Sequence, residues 1–518
     1  MTALRFVRAI GLALLGSARV AIAIPEGPSP GTAEWLAREL ANYARTLEAP
    51  AEQVAPAFVQ RSVEQGLANE LEWLTRGLTD PSWLSPLSGN TQVTPLCTSW
   101  SMQCVGDPFL YDHDADVAPV VFYDDGCARL SGRVWAPRGT AAGANLPGVV
   151  IENGSIQAPE TLYWFMAEAL ARAGYVVLTF DPRGQGRSDF MTPTFELGSN
   201  FNSAVFWTGL VNAIDFFHST PDEPYPHQSE CAGSYPTAMA AVNPFHDRLD
   251  RGRLGLVGHS LGAAGVTVVQ SYGAPDGTPW PGLLADENPV DVIVAWDALG
   301  TPGGSRFGAP PVVARVPAMG QTSEYGIGGT PLLEPPDPEG HKDAFDGWRE
   351  AGLPVFQLTI QGSTHFEWSS IPTFPTTSWC PAIENGNCAG GWGRPMAEHH
   401  TLAWLDRWLK HDGEPGFDDA DLRLLDDAGP QGAAKMSFYW RSARAYESRN
   451  GFAQDCDDIR AGCPAASVAR AILGAGSSGR GCQATDGPAD AWGVLVTLAA
   501  VLLRRLVPRA DEPAASGR

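Results

Sequence analysis

Positive charge is scarce in this chain of 518 residues: 35 Lys and Arg stand against 58 Asp and Glu, the formal net charge is −23, and only Lys342, Lys410 and Lys435 are lysines. So acidic a surface repels a phosphate backbone, which excludes nucleic acid as a partner class and leaves solubility as the plain role of the charge. The apolar stretch Ala491–Leu503 has 13 residues, short of the roughly 20 that a membrane-crossing helix needs. None of the nine cysteines forms a Cys-x-x-Cys pair, so the usual zinc-site spacing is missing. No glycine loop of nucleotide-binding type opens a helix in the right context, so no organic cofactor is implied. No internal repeat is present. What the chain does have is 57 Gly and 43 Pro, the material of tight turns and long surface loops, with ordinary hydrophobic (44%) and charged (18%) fractions. Such a length accommodates one large catalytic domain and further segments.

Residues 1–23 have the layout of a secretory signal: Arg5 and Arg8, an apolar run from Ala9 to Leu15, and Ala21-Ile22-Ala23 as a small-x-small cleavage site, with Arg19 an irregularity. Export implies an oxidising compartment, and eight cysteines can pair. Cys97 with Cys104, Cys380 with Cys388 and Cys456 with Cys463 would close short loops, leaving Cys127 and Cys231 for a long-range bridge, although spacing does not fix connectivity. Cys482 stands apart. The order Gly481-Cys482, short apolar run, Arg504-Arg505 resembles the MYXO-CTERM sorting tails of bacterial surface proteins. That resemblance implies sorting machinery acting near Cys482 and display at the cell surface or release; the alternative is an amphipathic terminal helix.

Between these ends, residues 24–117 read as a helical and disulfide-bearing segment, with helical spacing of Trp35, Leu36, Leu40 and Tyr43 and of Val63, Leu67, Leu71, Leu74 and Leu78. Residues 118–412 alternate strands with helices, the pattern of a mostly parallel, doubly wound α/β sheet. Strands are predicted at Leu146–Glu152, Tyr175–Phe180, Arg253–Val257, Val292–Ala295, Ala318–Gln321 and Val355–Ile360. Helices are predicted at Glu160–Ala173, Phe201–Phe217, Gly262–Tyr272 and His400–Leu409. Residues 413–470 form an acidic, weakly periodic extension, 471–490 a Gly/Ser linker and 491–518 the apolar tail.

The strongest chemical signal is Gly258-His259-Ser260-Leu261-Gly262, set between a strand and a small-residue helix. A serine hydroxyl becomes a nucleophile when a sharp turn lifts it toward a base and a substrate. Glycines on either side admit that turn, and the helix N-terminus aims the Leu261 amide at a developing oxyanion.

Around this elbow, residues 120–410 resemble the α/β-hydrolase superfamily. Asp181-Pro182-Arg183-Gly184-Gln185-Gly186-Arg187-Ser188 is similar to its Asp-x-Arg-Gly-x-Gly-x-Ser loop, to which a structural role belongs. The resemblance implies a second oxyanion amide in the loop after the third strand; here Glu152-Asn153-Gly154-Ser155 carries it over to Ser155, with Asn153 where His-Gly-x is frequent. It also implies the chain order serine, acid, histidine. Gln361-Gly362-Ser363-Thr364-His365 follows a strand and nominates His365 as the base. Two carboxylates end strands, Asp297 and Glu324. The segments Trp296-Asp297-Ala298 and Ser323-Glu324-Tyr325, with the His365 segment, resemble the platelet-activating-factor acetylhydrolase branch, which favours Asp297. Polyester hydrolases of cutinase type show a similar Trp-Asp yet use a later acid, which keeps Glu324 in contention.

The expectation is an exported serine carboxylester hydrolase acting through Ser260, His365 and Asp297 on small-molecule, lipid or polymer esters. A peptidase or amidase on the same triad and a non-catalytic surface adhesion module are the alternatives. No metal is implied: Asp112-His113-Asp114-Ala115-Asp116 lacks the glycine and terminal Glu of a calcium loop. Trp368, beside the base, reads equally as acyl-pocket wall or core.

Overall fold

The computed structural model describes residues 28–41, 56 and 114–468, apart from 156–158, 187, 200, 232–239, 276, 298, 328–331, 370–381, 385–386, 390 and 465–466. The secretory signal, the helix expected around 63–78, the Cys97–Cys104 pair, Cys380, the Gly/Ser linker and the apolar tail with Cys482 lie outside the described residues. Contacts divide the chain into Met1–Ala469 and Arg470–Arg518, and every described residue belongs to the first unit.

Six strands, all but β7 carrying Val, Ile or Leu, make the parallel centre: β3 (Leu146–Glu152), β4 (Val176–Phe180), β5 (Leu249–His259), β6 (Val290–Trp296), β7 (Ala318–Ser323) and β8 (Val355–Ile360). The antiparallel pair β1 (Ala115–Tyr123) and β2 (Arg129–Pro137) joins one side through β4. On the other side stand β11 (Ala443–Glu447), β12 (Phe452–Cys456) and β13 (Ser467–Val468), all antiparallel. The full order is β1-β2-β4-β3-β5-β6-β7-β8-β11-β12-β13, eleven strands, beside a separate ribbon of β9 (Ala382–Glu384) and β10 (Asn387–Ala389).

Strand side chains alternate between two cores, as a period of two requires. Val149, Ile151, Val257, Val294 and Trp296 pack on one face with α2 (Trp164–Arg172) and α5 (Gly393–Leu409). Val150, Leu256, Ile293 and Ala295 pack on the other with α3 (Val205–His218) and α4 (Leu261–Ser271). Each fully buried side chain of this size contributes about 1.5–3 kcal/mol. The crossovers through α2 and α4 cover opposite faces, so the strand order reverses between β3 and β5. Such a switch point, beyond the carboxyl ends of the strands, is where open α/β sheets bind ligands, and the loops after β3 and β5 meet there.

Most predicted elements keep their place, with shifted ends. Helix α2 begins at Trp164 rather than Glu160 because residues Glu160–Tyr163 wind as a 3-10 turn after Pro159, with the Glu160 amide captured by the Asp181 carboxylate at 2.7 Å. Helix α5 starts at Gly393, seven residues before His400, with Pro395 in a first turn where an absent N–H costs no bond. The extension assigned no strands supplies β11 and β12. Ala443-Arg444-Ala445-Tyr446-Glu447 contains no β-branched residue, and it pairs because β8 offers an open edge.

Helix α1 (33–41) buries Trp35 and Glu39, while Leu36 and Leu40 are exposed. The leucines expected to form its inner face therefore do not. A polar latch replaces them: Glu39 accepts from Tyr325 Oη at 2.9 Å, from the Leu332 amide at 3.0 Å and from Tyr439 Oη. Disulfides join Cys127 to Cys231 and Cys456 to Cys463.

Candidate active site

Ser260 has φ +58° and ψ −118°, a conformation side chains rarely adopt, at the bend from β5 into α4. Close approach explains its neighbours. A Cβ on Gly258 would lie 2.3 Å from the Gly262 carbonyl oxygen, and one on Gly262 would lie 2.4 Å from that of Asn153. Only glycine lets the helix start abut the loop after β3. The Ser260 amide donates to the Trp296 carbonyl at 3.0 Å, tying the bend to the end of β6.

After β8, Gly362 turns the chain at φ +72° and a 3-10 turn starts at His365. His365 Nε2 lies 2.9 Å from Ser260 Oγ, and its Nδ1 makes a short hydrogen bond with Asp297 Oδ2. The hydroxyl, the imidazole and the carboxylate thus stand in a line at the carboxyl edge of the sheet. Asp297 also has positive φ, +55°, which aspartate tolerates better than most residues. Its Oδ1 accepts from the Ser323 amide at 2.8 Å and from Ser323 Oγ at 2.9 Å. Burial pushes the Asp297 carboxyl up, but the His365 hydrogen bond and charge and the Ser323 amide outweigh it and hold the pKa at about 2.

Glu324 is turned elsewhere. Its Oε2 accepts from the Gly362 amide at 2.6 Å, its Oε1 from Ser437 Oγ at 2.6 Å, and Arg38 Nη2 lies 3.7 Å away. It braces the turn that carries His365, with burial pushing its pKa up.

The amides of Leu261 and Ser155 donate to no acceptor among the described residues. A Cβ on Gly154 would lie 3.3 Å from Ser260 Cβ, so the loop carrying Ser155 touches the bend at Ser260. Gln185 Nε2 donates to the Gly154 carbonyl, which orients the peptide whose N–H is that of Ser155. Asn153 Nδ2 donates to Asp181 Oδ1 at 3.0 Å, so this side chain joins the Asp181 loop to the loop after β3. His259 is buried between Tyr163 and the His365 carbonyl. Trp368 is fully buried and donates to Gln321 Oε1 at 2.8 Å, which makes it core rather than pocket wall.

Sequence reasoning missed Ser323, Tyr163 and Gln185. Ser323 adjoins Glu324 at a strand end and Gln185 lies within the glycine loop after β4, but no spacing rule singles either out. Tyr163 had no signal at all. In the Asp112–Asp116 stretch, Asp114 meets Arg172 at 3.2 Å and Asp116 meets Arg248 at 2.7 Å, both as ion pairs. Among the described residues, no group of three His, Cys, Asp or Glu is arranged to hold a metal ion. No helix among them is long and apolar enough to cross a membrane.

Residues 150–272 match the protein family described as alpha/beta hydrolase fold. The matched stretch runs from β3 to the end of α4 and includes the bend at Ser260. With the mostly parallel sheet, it defines the class: the protein has the α/β-hydrolase fold, and that fold supports a hydrolase. A comparison with curated proteins finds no match.

Proposed function

We propose that this protein is a serine carboxylester hydrolase working through an acyl-enzyme. The observation that carries the reading is the line from Ser260 Oγ, 2.9 Å from His365 Nε2, through the ring to Asp297 Oδ2. His365 takes the Ser260 proton as Oγ attacks the ester carbonyl carbon. The carbonyl oxygen becomes an oxyanion held by the Leu261 and Ser155 amides, and Asp297 stabilises the imidazolium. Collapse breaks the bond to the alkoxy group, which leaves as an alcohol with the proton from His365. Water then adds by the same route in reverse and releases the acid. Asp297 serves as the acid member and Glu324 as a brace.

Export belongs to this reading. The layout of residues 1–23 and the bridges Cys127–Cys231 and Cys456–Cys463 support an oxidising compartment. The Cys482 segment supports sorting to the cell surface.

The test is a panel of p-nitrophenyl esters of increasing acyl length with the purified chain, together with fluorophosphonate labelling. Wild type should turn over the esters and be labelled at Ser260, and Ser260→Ala should lose about 10³-fold or more in kcat without losing its fold. Undiminished ester cleavage by Ser260→Ala would refute the assignment. Failure of wild type to be labelled or to cleave any ester would favour an adhesion module.

A further inference from the structure

Three buried hydrogen bonds join the two loops that must act together. The Gly154 amide donates to Tyr163 Oη at 2.9 Å; Tyr163 Oη lies 2.8 Å from His259 Nδ1; His259 Nε2 lies 2.7 Å from the His365 carbonyl oxygen. A carbonyl can only accept, so His259 Nε2 carries hydrogen and donates to it. Burial, aided by the charge of His365, lowers the His259 pKa to about 3, so the ring is neutral and Nδ1 is an acceptor. Tyr163 therefore donates its hydroxyl hydrogen to Nδ1 while its oxygen accepts from Gly154. Every direction in the chain is determined.

The endpoints matter. Gly154 precedes Ser155, whose amide the proposed mechanism assigns to the oxyanion, and the His365 peptide carries the proposed base. On its other side the His365 amide donates to the Gly326 carbonyl at 2.9 Å, so this backbone is gripped at both groups. His259 also adjoins Ser260 in the chain. A Cβ on Gly154 would lie 3.0 Å from Tyr163 Oη and 3.2 Å from His259 Nδ1, a space without slack. A displacement of either loop would stretch a bond in a water-excluded place, where unmade hydrogen bonds are costly.

We infer that Tyr163 and His259 are positioning residues that hold the Ser155 oxyanion amide and the His365 imidazole at a fixed separation around Ser260. Neither touches the reacting atoms; both act through the backbone of residues that do. The inference rests on the triad reading above, and the experiment separates the two.

Tyr163→Phe, His259→Phe, the double variant and His259→Gln are compared on a short-chain p-nitrophenyl ester, with rates normalised to sites titrated by a fluorophosphonate. Tyr163→Phe and His259→Phe should each lower kcat per titrated site by about 10–100-fold with KM changed less than about threefold, because only the transition-state geometry is loosened. The double variant should be no more than about threefold worse than the poorer single one, since both break one chain. His259→Gln should recover to within about threefold of wild type, because its carboxamide offers an acceptor to Tyr163 and a donor to His365. Unchanged kcat per titrated site in both single variants overturns the inference, as does a double variant showing the full product of the two losses. A reduced titre with unchanged kcat per site marks a merely structural role and overturns it as well. Turnover surviving in Ser260→Ala, run alongside, would instead defeat the triad reading.

Discussion

Replacing Asp297 by Asn tests the electrostatic core of the site, because the surrounding hydrogen bonds dictate which way the new amide must face. Oδ1 of Asp297 accepts from both the amide and the hydroxyl of Ser323, at 2.8 and 2.9 Å. The buried Ser323 amide can only donate, so the oxygen of the substituted carboxamide must keep that position and its NH₂ group must face His365 Nδ1. A donor there selects the tautomer with Nδ1 unprotonated and Nε2 carrying hydrogen. Nε2 then donates toward Ser260 Oγ across 2.9 Å instead of accepting its proton. The base is lost with little change in shape, a change that costs about 10⁴-fold in kcat in triad enzymes. At about 1.4 kcal/mol per decade this is about 5–6 kcal/mol of transition-state stabilisation. The assay is kcat and KM for a p-nitrophenyl ester, with fluorophosphonate labelling rate as a second measure of serine reactivity. Both rates should fall together while KM changes little and the melting temperature holds. Glu324→Gln is the companion variant: it weakens the brace on the Gly362 turn and should cost far less in kcat. A kcat within tenfold of wild type for Asp297→Asn, with the larger loss in Glu324→Gln, would refute the reasoning.

Two further outcomes follow from burial and chain closure. His400 is buried with its pKa lowered to about 3 by burial and by His399, so the unfolded chain binds a proton between about pH 6.5 and 3 that the folded chain does not. This stability contribution is fully present above pH 6.5 and is lost as pH falls; relative to His400→Gln, wild type should weaken by about 1.4 kcal/mol per pH unit between pH 6 and 4 in urea titrations. A pH-independent difference would contradict it. The two bridges close loops of very different length, with sequence separations of 104 and 7 residues. Loop-closure entropy therefore predicts losses of about 4.7 kcal/mol for Cys127→Ser/Cys231→Ser and about 2.4 kcal/mol for Cys456→Ser/Cys463→Ser by chemical denaturation, and the reverse ranking would count against that account.

The α/β alternation was legible because strands buried on both faces need continuous apolar runs, and Val149-Val150-Ile151 or Val292-Ile293-Val294 have no other use. The bend at Ser260 was legible because two close backbone approaches, at Gly258 and Gly262, demand glycine at a fixed spacing. The strands of residues 443–456 were not legible, since short segments without β-branched residues take up strand geometry only when an edge such as β8 is waiting. Helix α1 misled for a related reason: leucine spacing suggested an apolar inner face, whereas Glu39 finds its partners on Tyr325, Leu332 and Tyr439, some 290 to 400 positions away.

Local order in the chain by itself pointed to the fold class and nominated Ser260, His365 and two candidate acids, because each candidate sits in a turn at a strand end. Tertiary structure alone decided between the acids as partners of the imidazole: Asp297 meets His365 Nδ1, while Gly362 and Ser437 occupy Glu324. It alone also brought Tyr163, Gln185 and Ser323 into the site. Hydrogen bonds between side chains far apart in sequence leave no periodicity or spacing behind, so only the packed sheet, which sets those distances, could reveal them.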